Sequence, residues 1–324
     1  MSADELWRPS AAMPTLRLRG ELLAAVRAFF AARSVLEVDT PALVRHSVTD
    51  VHIHCASVEL PGHAAPLYLH SSPEYAMKRM LAAGSGDIYQ ITHVFRGDEK
   101  SALHNAEFTL IEWYRCGYSM DELMAEVAQL AVELLALPAS VPVQYLHYAA
   151  AFERELGVDP LRAEESALRE VALAHGLERA VAHGCSRDEL LDWLMASVLG
   201  PRLGRSGLCF VHHYPASQAA LARLDPEDPR VAMRFELYRD GVELANGFEE
   251  LSDAQQQRAR FELDRQERTR RGLRAPAIDE TLLSALAAGM PPVAGVALGF
   301  DRLLMLRLGA QRIEQVLPFA LERA

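Results

Sequence analysis

Apolar positions along the chain change period several times, and each change marks an element. In "LRLRGELLAAVRAFFAARSVLEVDTPALV", Leu22, Leu23, Val26, Phe29 and Phe30 recur at helical spacing. The pattern turns extended at "VLEVDTP" and stops at Pro41, since proline cannot donate to a central ladder and marks a strand end or edge. "PLYLHSS" predicts a strand, and "PEYAMKRMLAAG" a short helix with Pro73 near its first turn and Gly84 past its end. "IYQITHVFR" and "EFTLIEWY" predict two strands around a charged loop. "SMDELMAEVAQLAVELLAL" opens with a capping box, Ser119 and Glu122, and continues as an amphipathic helix. Residues 147–205 are mostly helical, with a second capping box at Ser186 and Glu189, and read as an insertion between two strand-rich regions. Strands return in "GLCFVHHYP" and "VAMRFELYRDGVELANGFEEL". A long polar helix follows, "SDAQQQRARFELDRQERTRRG", and "VAGVALGFDRLLMLRLGA" is a strand turning into a helix. Hairpin-joined strands with helices in runs between them predict an α+β architecture, an antiparallel sheet with flanking helices.

Composition narrows the function classes. The 324 residues are 50% hydrophobic, enough for a large core. No stretch approaches the length of an apolar membrane span, and the acidic N-terminus lacks the apolar segment of a secretory signal, so a cytoplasmic protein is expected. Four dispersed cysteines without a CxxC fit reduced, mostly buried thiols. A net charge of −11 argues against a large nucleic-acid surface. Arg265, Arg268, Arg270, Arg271 and Arg274 form one basic cluster, read as a solvated helix end, with a docking face for an acidic partner as the alternative. His52, His54, His212 and His213 form HxH and HH pairs, weak metal signals on strands, and read as structural or solvent-facing. "GVALG" lacks the third glycine of a phosphate-cradling turn.

The chemistry concentrates at "VFRGDEKSALHNAEFTLIEWY", where Arg96, His104, Asn105, Glu107, Glu112 and Tyr114 crowd one hairpin. This segment resembles motif 2 of the class II aminoacyl-tRNA synthetases, the strand–loop–strand that holds ATP. The helix–strand unit ending at Pro41 resembles their motif 1, a dimer-interface element, and "GVALGFDRLLML" resembles motif 3. Through "SSPEYAMKRML", "HNAEFTLIEWY" and "VELANGFEEL" the chain is most similar to lysyl-tRNA synthetase, over nearly its whole length.

That resemblance implies amino-acid activation with ATP and Mg2+ by a class II catalytic core occupying residues 1–324 as one domain. Arg96 would meet the α-phosphate and the substrate carboxylate, a task suited to a planar two-pronged donor. Arg302 would lie over the γ-phosphate. Gly97, Asp98, Asn105, Leu244 and Gly299 would contact the nucleotide, and Gly295 and Gly299 would admit it closely. Glu243 and Glu250 resemble a magnesium-binding pair of hard oxygen ligands. Ser72, Pro73, Glu74, Tyr114 and Glu250 would hold the amino acid, with Glu74 and Glu250 pairing its ammonium groups.

The chain also departs from the synthetase. Motif 1 begins near residue 20, leaving no room before it for the anticodon-binding OB domain, so no tRNA partner is expected. "WRPSA", "VTDVH", "YPASQAALA" and Ala297 within "GVALG" resemble the elongation factor P lysine ligases instead. That family implies an AMP-forming ligase, active as a homodimer, that transfers (R)-β-lysine to a lysine of elongation factor P. The alanine methyl at Ala297 would narrow the pocket against α-lysine. The alternatives are a short lysine-activating ligase or tRNA synthetase loading another carrier, and a non-catalytic paralogue; Arg96, Glu243, Glu250 and Arg302 are all present, against the latter. Asp98 stands where the motif 2 signature has glutamate, so Asp98 or Glu99 would meet the adenine amino group.

Overall fold

The computed structural model describes residues 7–63, 65–97 and 101–324. Helix α1 (Met13–Ala31) buries Leu22, Val26, Phe29 and Phe30 along the predicted stripe. Little of the extended "VLEVDTP" pairs: only β1 (Leu36–Glu37) forms, parallel to β5 (Ile88–Phe95), at the edge of the main sheet. The "PLYLHSS" segment supplies β4 (Leu67–Leu69), which joins β2 (Leu43–Val44) and β3 (Ser57–Val58) in a separate three-stranded sheet. Helix α2 (Glu74–Ala82) follows, then the β5–β6 hairpin (β6, Glu107–Cys116) and α3 (Met120–Leu135), capped by the predicted Ser119–Glu122 box.

Strand β7 (Val143–His147) leads into α4 (Tyr148–Leu156), α5 (Glu165–Ala174), α6 (Arg179–Ala182) and α7 (Arg187–Leu194). Helix α7 carries the Ser186–Glu189 box, then loosens into a π-turn at Met195–Leu199 rather than continuing as α-helix. These helices share an apolar cluster of their own, around Phe152, Leu168, Leu190 and Leu194. The chain returns through β8 (Leu208–Pro215), β9 (Val231–Arg239) and β10 (Val242–Glu249), followed by α8 (Ala254–Arg270) and α9 (Glu280–Gly289). Strand β11 (Val293–Gly299) runs directly into α10 (Phe300–Leu308).

The eight-stranded sheet has the order β1-β5-β6-β11-β10-β9-β8-β7. It is antiparallel except at its edges, where β1–β5 and β7–β8 are parallel. One face carries Ile111, Trp113, Val296, Phe235 and Phe210 against α1, α3 and α10, the main core. The other face is polar at its centre. Register aligns Gln90, Glu112, Ala297, Asn246 and Glu236 in one row across five strands. The next row on that face is Ile88, Tyr114, Gly295, Phe248 and Arg234. No described helix is long and apolar enough to cross a membrane.

Candidate active site

Above those two rows lies a cavity of about 720 Å³, walled by Ser72, Glu74, Arg96, Ala297, loops near residues 50 and 218, and α8. Gly295 makes the floor possible. A Cβ there would fall 2.3 Å from the Tyr114 ring and 2.5 Å from a Glu250 oxygen. The glycine therefore makes room for the Tyr114 ring and the Glu250 carboxylate. Gly97 makes a second close approach: its N–H donates to the His54 carbonyl at 2.6 Å, and a Cβ would lie 3.2 Å from that oxygen.

Two carboxylates converge on one lysine, and a third lies beside them. Lys78 Nζ, buried on α2, contacts Glu74 Oε1 at 2.6 Å and Glu250 Oε2 at 2.6 Å. Beside them, Glu112 accepts from the Ser72 hydroxyl at 2.8 Å and from the Tyr114 hydroxyl at 2.8 Å. Burial, then repulsion from Glu74, pushes the Glu112 carboxyl up to about 7. Burial and the charges of Glu74 and Glu112 push Glu250 up to about 8, despite the Lys78 partner, while Glu250 and Glu74 hold Lys78 firmly protonated. One resident ammonium is too little cation for three enclosed carboxylates. Asn246, in the adjoining register position, has a buried Oδ1 with no partner among the described residues.

Sequence reading found Ser72, Glu74, Tyr114 and Glu250, which the structure brings together, and Pro73 at the N-cap of α2. It missed Lys78, and it named Glu112 on the hairpin without giving it a role. Lys78 stands one helical turn after Glu74, and Glu112 two residues before Tyr114 on the same strand face, so spacing alone could have flagged both. Arg234 was missed as well; its guanidinium lies over the Tyr214 ring and donates to Glu236 at 2.6 Å.

The expected nucleotide residues gather at another end of the same sheet. Arg302, in the first turn of α10, donates to the Glu243 carbonyl at 3.2 Å and the Leu103 carbonyl at 3.3 Å, and meets His104 Nε2 at 2.5 Å. Its guanidinium lies 3.8 Å from the Glu243 carboxylate. Arg96 packs over the Phe108 ring and reaches the Ser71 carbonyl at 3.4 Å, between the amino-acid pocket and the hairpin loop. Asn105 donates to the Glu107 carbonyl at 2.7 Å. Leu244 is the extra residue of a β-bulge in β10, skipped by the ladder to β9, and Gly299 lies beside its carbonyl. Asp98 and Glu99 lie outside the described residues.

Glu243 and Glu250 do not come together. Seven residues of chain, along β10 and just past its end, separate them, with one lost to the bulge, or roughly 20 Å at about 3.3 Å per residue. One ion cannot bridge both, and Glu250 is held by Lys78. The half-exposed Glu243 carboxylate suits a hard cation, whereas Glu250 lies with Lys78, Glu74 and Tyr114.

Two surface readings change. The basic cluster on α8 is internally matched: Arg265 pairs Glu262, Arg270 and Arg271 pair Glu267, and Arg271 also pairs Glu189. Arg268 is buried and donates to the carbonyls of Asp50, Ile53 and Arg274, fixing a loop that walls the cavity. Of the cysteines, only Cys209 is buried; Cys55, Cys116 and Cys185 are partly exposed, and all four are free thiols. His212 is buried in a cluster with His147 and His213, and burial beside those rings pushes it down to about 3.

Comparison with known proteins agrees with this geometry. Residues 5–323 match the family described as tRNA synthetases class II (D, K and N). Proteins named elongation factor P--(R)-beta-lysine ligase from Salmonella dublin and Salmonella paratyphi B are each 46% identical over 328 aligned residues, covering 100% of both chains. The protein of that name from Salmonella heidelberg matches equally well.

Proposed function

The chain belongs to the class II tRNA synthetase (D, K and N) family, and from that premise we propose that it is an ATP-dependent ligase for (R)-β-lysine and elongation factor P. The observation that carries the reading is the carboxylate-rich end of the cavity: Glu74 and Glu250 share Lys78, and the buried Glu112 lies beside them with only hydroxyl partners. Such a pocket wants further positive charge. A lysine isomer brings two ammonium groups on an aliphatic stem, which the Tyr114 ring can cover.

Activation joins the substrate carboxylate oxygen to the α-phosphorus of ATP and releases pyrophosphate. Arg96, between pocket and loop, is suited to hold the carboxylate and the α-phosphate together as charge builds. Arg302 is suited to the far phosphates, and Glu243 to Mg2+, which when bound neutralises phosphate charge. In the second step the ε-amine of an elongation factor P lysine attacks the activated carbonyl, an amide forms, and AMP leaves. Asp98 or Glu99 would meet the adenine amino group. The protein would act in the cytoplasm as a homodimer and without tRNA.

Incubation with ATP, Mg2+, (R)-β-lysine and elongation factor P, followed by intact mass, tests the reading. One added β-lysyl residue on elongation factor P supports it. AMP production without that gain would point to another carrier, and absence of amino-acid-dependent pyrophosphate exchange would overturn the activation chemistry.

A further inference from the structure

Opposite the catalytic cavity, three imidazoles meet at the far edge of the sheet. His147 ends β7 and His212 lies on β8, and the parallel register places them side by side. His212 also stands opposite Phe235, on the face turned away from Glu236 and the pocket. Successive strand residues normally point to opposite faces. Here the β8–β9 register slips between His212 and Tyr214, and His213 takes a left-handed φ of +59°. This β-bulge turns His213 onto the same side as its neighbour. A non-glycine residue held there is strained and is kept there by its surroundings.

The consequence is a convergence of ligand atoms. His212 Nδ1 and His213 Nδ1 approach to 2.5 Å. One ring nitrogen from each of His147, His212 and His213 lies within 4.8 Å of the others. Behind them, Asp225 Oδ2 is 3.5 Å from His213 Nε2, the far ring nitrogen. A carboxylate taking the outer ring N–H while the inner nitrogen faces its neighbours is the arrangement that orients a metal-bound histidine. Asp225, Asp121 and Glu249 add negative potential at His213. None of the three histidines lines the cavity.

We propose that His147, His212 and His213, with Asp225 orienting His213, form a binding site for a borderline-soft divalent metal such as zinc. Zinc–nitrogen bonds of about 2.0–2.1 Å in tetrahedral geometry need ring nitrogens about 3.3 Å apart. The histidine pair must therefore spread slightly and the exposed His147 ring swing inward, both by side-chain rotation. A bound ion would tie the start of α4 to β8, closing the chain between His147 and His212 into a clipped loop. Its role is then structural, separate from the Mg2+ of the reaction.

The test uses zinc chloride alone on the full-length, chelator-washed protein. Equilibrium dialysis with elemental analysis reads stoichiometry, and a thermal scan reads the midpoint. The expected result is one zinc per chain at micromolar concentration and a raised midpoint. Both effects should be lost in His147→Ala, whose side chain is exposed. His213→Gly is the second variant: glycine accepts the left-handed backbone, so it should fold at least as well as the parent yet lose zinc. Zinc binding that persists unchanged in both variants, or no binding by the parent, overturns the proposal.

Discussion

At the scale of single residues, the site is governed by an excess of buried carboxylate. Glu112 and Glu250 keep protons in the folded protein that they release near 4.5 when unfolded. A raised carboxyl stabilises the fold below its unfolded value and loses that contribution as pH rises through its folded one. The thermal midpoint of the ligand-free enzyme should therefore fall between about pH 5 and about pH 8. Saturating (R)-β-lysine should flatten that slope, since its ammonium groups replace the protons; an equally steep slope with ligand would count against the pocket assignment. KM for the amino acid should fall over the same rise in pH. Ala297 sits between Glu112 and Asn246 in the same row. Ala297→Gly should move the kcat/KM ratio toward α-lysine by about 1–3 kcal/mol, the scale of one methylene in a pocket. An unchanged ratio would leave Ala297 as packing.

At the scale of elements, the chain made its hairpins, capping boxes and strand–helix junctions readable because each rests on local spacing. The cross-strand row was not readable. Spacing puts Lys78 one turn after Glu74 and Glu112 on the face of Tyr114, but that Glu112 shares a row with Ala297 and Asn246 depends on register among β6, β11 and β10. The same limit hid the bulge that turns His213, and the distance that parts Glu243 from Glu250. Register also explains Gly295. Gly295→Ala should push the Tyr114 ring and cut kcat/KM by roughly 100-fold, the cost of about 1 Å of misplacement in a positioned site, while the fold persists by circular dichroism. Near-normal activity would show that the ring has room. Helix α10 is anchored from beneath: Asp301 pairs with the buried Arg19 of α1 at 2.5 Å and accepts from the Thr109 N–H of β6 at 2.6 Å. Arg19→Leu leaves a buried carboxylate without its cation and should cost about 3–5 kcal/mol in denaturant unfolding. A loss under about 1 kcal/mol would mean that Asp301 finds other support.

At the scale of the molecule, one sheet serves two ends of a reaction. The proposed amino-acid and nucleotide ends both rest on β6, β10 and β11, so carboxylate and triphosphate would meet on one rigid floor, while the histidine cluster lies on β7 and β8 at the sheet's other edge. The motif 1-like unit supplies the exposed edge strand β1, where Leu36 is 53% exposed. A two-fold homodimer would cover this kind of surface, and light scattering at micromolar concentration should give twice the mass of one chain. The measurement that bears most directly on the central claim compares amino acids with and without the second ammonium group. Pyrophosphate exchange without RNA should proceed with (R)-β-lysine and fall by at least about 100-fold with the analogue lacking the terminal amine, because buried carboxylates would be left unpaired. Equal exchange with both would contradict a pocket built for two ammonium groups.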